Sequence, residues 1–515
     1  MKAGVPLLHD YLEASAARLP GKVALVCRER RATYAELDGA ANALAHELVR
    51  RGVLPGDRVL VFADNGPEAV VAFWAALKAN AVVSPVNPLT KEAKLDYLLN
   101  DCRAKALVTN AHLAPAFAGP AARSPHLKVV VCAGDAAKLP PLEGLVPFDS
   151  ALATGPRDAP PPRRRIDVDL AALLYTSGST GEPKGVMLTH RNMLAASASI
   201  AAYLENVEDD VFLGALPLAF DYGLYQLVLA FMVGARLVLE RSFAYPAEIM
   251  QAVVAEGVTA FPGVPTIFSL LEGLKAGAHD LSRVRYVTNT AAALHPRHVD
   301  AIQRLFPNAK LFSMYGLTEC KRCTYLPPAD LRRKPGSVGV AIPNTELWLV
   351  DEHDRRVGPG VVGQLVIRGA TVMQGYWEKP EATAERLRPG PVPGEQVLYT
   401  GDLCRLDDDG YLYFVGRMDD IIKSRGEKVA PKEVEQALLD VPGVVECAVI
   451  GVPDDVLGQA VKAFVVLAPG STLTARELQR ECHKRLEPFL VPKVVELVLD
   501  LPRTATGKIK KTDLS

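Results

Sequence analysis

The chain has 515 residues, with 58 Lys plus Arg against 59 Asp plus Glu and 49% apolar residues. A chain this long exceeds one compact core and calls for at least two domains. The balanced charge removes the electrostatic case for nucleic acid or an acidic partner, and no apolar run approaches the roughly 20 residues that span a bilayer.

Apolar strands alternate with amphipathic helices through most of the chain. The pattern predicts strands over 58–62, 81–86, 106–109 and 128–132, with a helix over 67–80 between the first two. The segment Pro160-Pro-Pro-Arg-Arg-Arg165 reads as a stiff polar connector, although three arginines can also bind phosphate. An apolar strand over 170–174 follows and runs into Tyr175-Thr-Ser-Gly-Ser-Thr-Gly-Glu-Pro-Lys-Gly185. A second strand series covers 212–216, 235–239, 258–261 and 285–288. These two βα series predict an α/β protein with parallel sheets in two subdomains. From 345 to 413 the pattern turns short, strand-rich and glycine-punctuated, as in a small β-barrel. Beyond 418 a compact α+β unit is expected: helix 431–439, strands 444–450 and 461–467, helix 475–486 and strand 493–498.

The segment from Thr176 to Gly185 holds three glycines, four hydroxyl side chains and Lys184 behind an apolar strand. Glycines let backbone N–H groups approach an anion, hydroxyls donate further hydrogen bonds, and the lysine supplies charge. The spacing differs from the common triphosphatase loop, since Gly185 follows the lysine where that loop has Ser or Thr. An ordinary flexible turn is the plainer reading. In Met314-Tyr-Gly-Leu-Thr-Glu319, Tyr315 can stack on a base, Thr318 can donate to a phosphate, and Glu319 can hold Mg²⁺ through oxygen. A Tyr-Gly turn with a solvated glutamate is the alternative. Asp402, in Leu398-Tyr-Thr-Gly-Asp402, can accept two ribose hydroxyls, and Arg417 offers donors for ribose or phosphate. Pro502-Arg-Thr-Ala-Thr-Gly-Lys508 is a glycine loop that presents a lysine, or else a frayed tail. Among eight cysteines only Cys320 and Cys323 have CxxC spacing, and no second pair completes a zinc set. They read as small buried thiols in a reducing, cytoplasmic compartment, and the N-terminus lacks the apolar stretch of a secretory signal.

The order of these five motifs resembles the adenylate-forming superfamily, which includes acyl-CoA synthetases, peptide-synthetase adenylation domains and luciferases. The resemblance implies a large N-terminal domain of two α/β subdomains plus a small β-barrel, over 1–418, and a small mobile α+β domain over 419–515. It implies that ATP and a carboxylic acid give an acyl-adenylate and pyrophosphate, after which a thiol takes the acyl group. Thr176, Ser177, Gly178, Ser179, Thr180, Gly181 and Lys184 match the phosphate loop, and Ala291 and Ala292 match the segment beside the adenine. Tyr315 and Gly316 resemble the base-stacking turn, Thr318 the phosphate ligand and Glu319 the Mg²⁺ ligand. Asp402 and Arg417 look like the ribose contacts, Asp419 like the hinge, and Lys508 like the lysine that bridges the carboxylate and the α-phosphate.

Leu216-Pro-Leu-Ala-Phe-Asp-Tyr-Gly-Leu-Tyr225 resembles the start of the family's acyl pocket. There Asp221 either pairs with a substrate ammonium, as in amino-acid adenylation domains, or pairs with Arg322 inside the protein. Tyr222, Tyr225, Pro262, Gly263, Thr288 and Met314 are the other expected pocket residues. The Lys423 to Pro431 segment matches the loop that faces the thiol, with Gly426 giving a pantetheine arm room to pass. Its form looks more like acyl-CoA ligases than like peptide-synthetase domains. CoA is the expected acceptor, and the alternative is the phosphopantetheine thiol of a separate carrier protein. A non-catalytic nucleotide-binding homologue is a third reading, against which stand Glu319 and Lys508.

Overall fold

The computed structural model describes residues 6–135, 139–177, 183–271, 279–290, 296–424, 427–454, 457–486, 488, 490–504 and 509–515. The chain divides into two compact units, one of Met1–Glu346 with Ile367–Leu398 and one of Leu347–Val366 with Tyr399–Ser515.

The first unit carries two large mixed sheets. In the eight-stranded sheet, Leu170–Ser177, Val82–Val86, Arg58–Phe62, Ala106–Asn110, Val129–Ala133 and Leu145–Pro147 run parallel side by side. Every residue of Val82–Val86 and of Val129–Ala133 is buried, as strands covered on both faces must be. The intervening helix Pro67–Lys78 begins on a proline, where a missing N–H costs nothing, and buries Trp74 completely. Two antiparallel strands, Pro183–Thr189 and Gly375–Tyr376, finish this sheet at one edge.

The nine-stranded sheet contains the second predicted series as Arg236–Leu239, Val211–Gly214, Ala260–Gly263 and Tyr286–Asn289, and Lys310–Tyr315 continues it, all parallel in that spatial order. Pro262 lies opposite Thr288, and Thr288 opposite Phe312, so the strands end nearly level. One component escaped the sequence reading. Val23–Cys27, near the start of the chain, pairs parallel with Arg236–Leu239. Its apolar run Val-Ala-Leu-Val marks a strand, but a partner more than 200 residues away is not legible from local sequence.

In the second unit, a hairpin joins Gln396–Leu406 to Leu412–Arg417, with Asp402 opposite Arg417. The C-terminal part is a five-stranded sheet centred on Gly458–Leu467, with Val444–Asp454 antiparallel and Val494–Leu497 parallel to it. Helices Pro431–Leu439 and Ala475–His483 belong to it. Val434, Leu438 and Leu478 pack with Val449, Ala463 and Val465 into its own core. The first of these helices has the predicted bounds. The second stops three residues short of the predicted end.

Candidate active site

In the first unit, Thr176 and Tyr315 stand at the carboxyl ends of their strands, where open α/β sheets place their ligands. The phosphate-loop motif is a hairpin rather than a strand-to-helix turn. Thr176 lies opposite Lys184 and Ser177 opposite Pro183. Gly178, Ser179, Thr180 and Gly181 lie outside the described residues, as do Ala291, Ala292, Gly426 and Lys508. After the hairpin, Thr189 caps helix His190–Leu204 in a capping box with Asn192. The Asn192 amide also donates to the carbonyls of Ala370 and Val372, both at 2.8 Å. That bond fixes the segment leading into Gly375–Tyr376.

Tyr376 ties the phosphate hairpin to the glutamate motif. Its strand pairs with Val186 and Met187 of the hairpin. Its ring lies 5.5 Å from the Lys184 ammonium. Its hydroxyl donates to Glu319 Oε1 at 2.7 Å, while the Met373 N–H donates to the Glu319 carbonyl, also at 2.7 Å. Lys184, Tyr376 and Glu319 thus form one polar row on half-buried ground. Tyr376 was not foreseen, because a Gly-Tyr-Trp run far along the chain reads as an aromatic turn. Gly185 has a steric reason as well. A Cβ there would come within 3.4 Å of the Tyr175 ring and Trp377.

A second cluster holds the predicted acyl-pocket residues. Helix Asp221–Val233 starts directly after the strand Val211–Gly214 and its turn. Tyr222 is buried, and its hydroxyl meets Thr288 Oγ1 at 2.5 Å. Burial pushes the Tyr222 phenol up to about 12. Gly263 packs against the Phe268 ring so closely that a Cβ would come within 2.3 Å of it.

Asp221 corrects one expectation. Its intramolecular partner is Lys321, at 3.1 Å, and not Arg322. Lys321 is itself buried, with its ammonium 4.1 Å from the centre of the Tyr225 ring. Burial pushes its pKa down to about 7, and the Asp221 charge opposes that fall. Arg322 instead lies 4.8 Å over the Tyr222 ring and donates from Nη1 to the Tyr203 hydroxyl at 3.1 Å, beside the Met314 sulfur. Lys321 was overlooked because lysines two residues past a motif are ordinarily solvated.

Cys320 and Cys323 are buried free thiols with sulfurs 3.0 Å apart. Gly316 explains how this short stretch folds back. A Cβ on it would lie 2.2 Å from the Lys321 carbonyl oxygen, so only glycine permits the approach. In the second unit, the Asp402 carboxylate is buried with the Arg417 guanidinium at 3.5 Å. That pair presents one acceptor and one exposed donor. Asp419 stands in a short 3₁₀ turn, and Lys423 pairs with Lys428 in a hairpin.

The AMP-binding enzyme model matches residues 12–377, and the AMP-binding enzyme C-terminal domain model matches 433–508. The chain belongs to the AMP-binding enzyme family. It is an AMP-forming acid–thiol ligase. A long-chain-fatty-acid–CoA ligase of Bacillus subtilis is 33% identical over 98% of this chain and 94% of its own. A feruloyl-CoA synthase of an Amycolatopsis species is 35% identical over 94% and 93%. Among solved structures, anthranilate CoA ligase AuaEII in complex with anthranoyl-AMP superposes with a TM-score of 0.89 at 29% identity, covering 99% of this chain and 96% of that one. AMP-binding enzymes of this kind thus match both units of the chain. Among the described residues, no helix is long and apolar enough to cross a membrane.

Proposed function

We infer that this ligase joins a simple carboxylic acid to CoA in two half-reactions. In the first, a carboxylate oxygen attacks the α-phosphorus of ATP. The bond from that phosphorus to the bridging oxygen breaks, and pyrophosphate leaves. In the second, the CoA sulfur attacks the acyl carbon, the thiol proton is released and AMP departs. The single observation that carries this reading is the row Lys184–Tyr376–Glu319, which sets a cation and a carboxylate about one aromatic ring.

The physical obstacle to the first step is repulsion between a carboxylate and a polyphosphate. Lys184 and the hydroxyls of Thr176, Ser177, Ser179, Thr180 and Thr318 offset it by donating to phosphate oxygens. Glu319 offers a half-buried carboxylate already oriented by Tyr376, a donor set that fits a hard cation. Mg²⁺, when bound, supplies neutralisation of phosphate charge. Tyr315 stacks on the base beside Ala291 and Ala292, while Asp402 and Arg417 take the ribose hydroxyls. Lys508 bridges carboxylate and α-phosphate, and Asp419 is the hinge between domains 1–418 and 419–515. The Lys423–Gly426 loop serves the thiol step. The enzyme works in the cytoplasm, a reducing compartment that suits eight free thiols.

A simple acid fits better than an amino acid because Asp221 is engaged by Lys321 and has no need of a substrate ammonium. The test is pyrophosphate release with ATP and Mg²⁺ across simple and amino acids, with and without CoA. Release with simple acids, completed to an acyl-CoA, is expected. Release confined to amino acids and indifferent to CoA would replace this reading with loading of a carrier protein.

A further inference from the structure

The buried polar cluster around residues 221 and 322 has one positive charge too many. Lys321 and Asp221 neutralise each other. Arg322 is only 2% exposed, yet among the described residues no carboxylate lies within ion-pair distance of it. Among the described residues its hydrogen bonds run from Nη1 alone, to the Tyr203 hydroxyl and the Met314 sulfur. A guanidinium carries five N–H donors. Nε and Nη2 therefore have no acceptor among the described residues. Tyr222, below the guanidinium, spends its own hydroxyl on Thr288.

A buried charge is costly unless it is paired and hydrogen-bonded. The ring face of Tyr222 and the hydroxyl of Tyr203 give Arg322 a partial substitute, but no anion. Two of the side chains it touches, Tyr222 and Met314, are expected acyl-pocket residues. We propose that the acid activated by this enzyme carries a second acidic group, a carboxylate that pairs with Arg322 when bound. This rests on the acid–CoA ligase reading and narrows its substrate to short dicarboxylic acids. An apolar chain end would leave the guanidinium buried and unpaired. The fully buried Tyr222 and Tyr225 keep the acid short.

The fork of a guanidinium matches a carboxylate in two parallel bonds, which a lysine cannot reproduce. The experiment measures kcat/KM for pyrophosphate release with malonate, succinate, glutarate and adipate, each against the monocarboxylic acid of equal chain length. In the wild type at least one dicarboxylate is expected to exceed its monoacid by about 100-fold or more, the scale set by breaking a buried charge pair. Arg322→Met is expected to erase that ratio, and Arg322→Lys to restore part of it. Thermal unfolding of each variant identifies one that fails to fold, in which case the wild-type ranking alone decides. Wild-type preference for monocarboxylic acids, or an unchanged ratio in a folded Arg322→Met, overturns the second-carboxylate assignment and leaves the ligase reading standing. No pyrophosphate from any acid overturns both.

Discussion

The Lys321 ammonium lies 3.1 Å from the Asp221 carboxylate, and both are removed from bulk water. The pair joins the start of helix Asp221–Val233 to the turn that follows Glu319. Asp221 is what favours the proton on a lysine whose pKa burial has brought down to about 7.

Asp221→Asn removes that support, so the Lys321 pKa falls further in the folded variant. Below pH 7 the wild type keeps a paired cation, whereas the folded variant holds its amine neutral and gains nothing from the extra protons. Its stability deficit therefore grows as pH drops, by at most about 1.4 kcal/mol per unit. Denaturant midpoints at about pH 6 and about pH 8.5 read this directly. Equal deficits at both would show that the two groups do not interact.

Tyr376→Phe deletes the hydroxyl that orients Glu319 and keeps the ring beside Lys184. A hydrogen bond to a charged group is worth about 1.5–3 kcal/mol, so the Mg²⁺ concentration for half-maximal adenylation should rise about tenfold or more. The KM for the acid should move little. A Mg²⁺ requirement equal to the wild type's would free Glu319 of this positioning role.

Lys508→Ala is expected to stop acyl-adenylate formation while sparing thioester formation from acyl-adenylate supplied ready-made. The two half-reactions are followed separately, by pyrophosphate release and by acyl-CoA formation. Equal loss of both refutes a bridging role confined to the first step.

His190 supplies an acid-stability test away from the chemistry. It is buried, accepts the Leu8 N–H at Nδ1, and has its pKa pushed down to about 4 by burial. The unfolded chain takes up that proton near 6.5, so the stability His190 contributes is present above 6.5 and lost as pH falls toward 4. The loss amounts to about 3 kcal/mol over that window. His190→Asn should flatten the pH dependence of the denaturant midpoint there, and an unchanged slope would contradict the buried neutral ring.

The parts of this enzyme that were legible in its sequence share a physical basis. Buried parallel strands such as Val129–Ala133 announce themselves as apolar runs, and the glycines and hydroxyls between Thr176 and Gly185 stand out by their short spacing. What stayed hidden depended on distant partners. Tyr376 acquires meaning only when its strand pairs with the hairpin at Val186. The choice between Lys321 and Arg322 as partner of Asp221 turns on one residue in a tight bend, where neighbouring side chains point apart. Sequence proximity placed the right segment beside Asp221 but not the right atom.

The bend at Gly316 has a consequence for anyone redesigning this enzyme. Its backbone is pressed against the Lys321 carbonyl and the Arg322 Cα, with room for hydrogen alone. The aromatic that precedes it and the two cations that follow it are therefore a single casting. Retargeting the enzyme to another acid by swapping Arg322 alone asks one face of that casting to change shape while the other holds its tolerance. Exchanging 315–323 as a cassette, together with the start of the helix that supplies Asp221, respects how the piece is made.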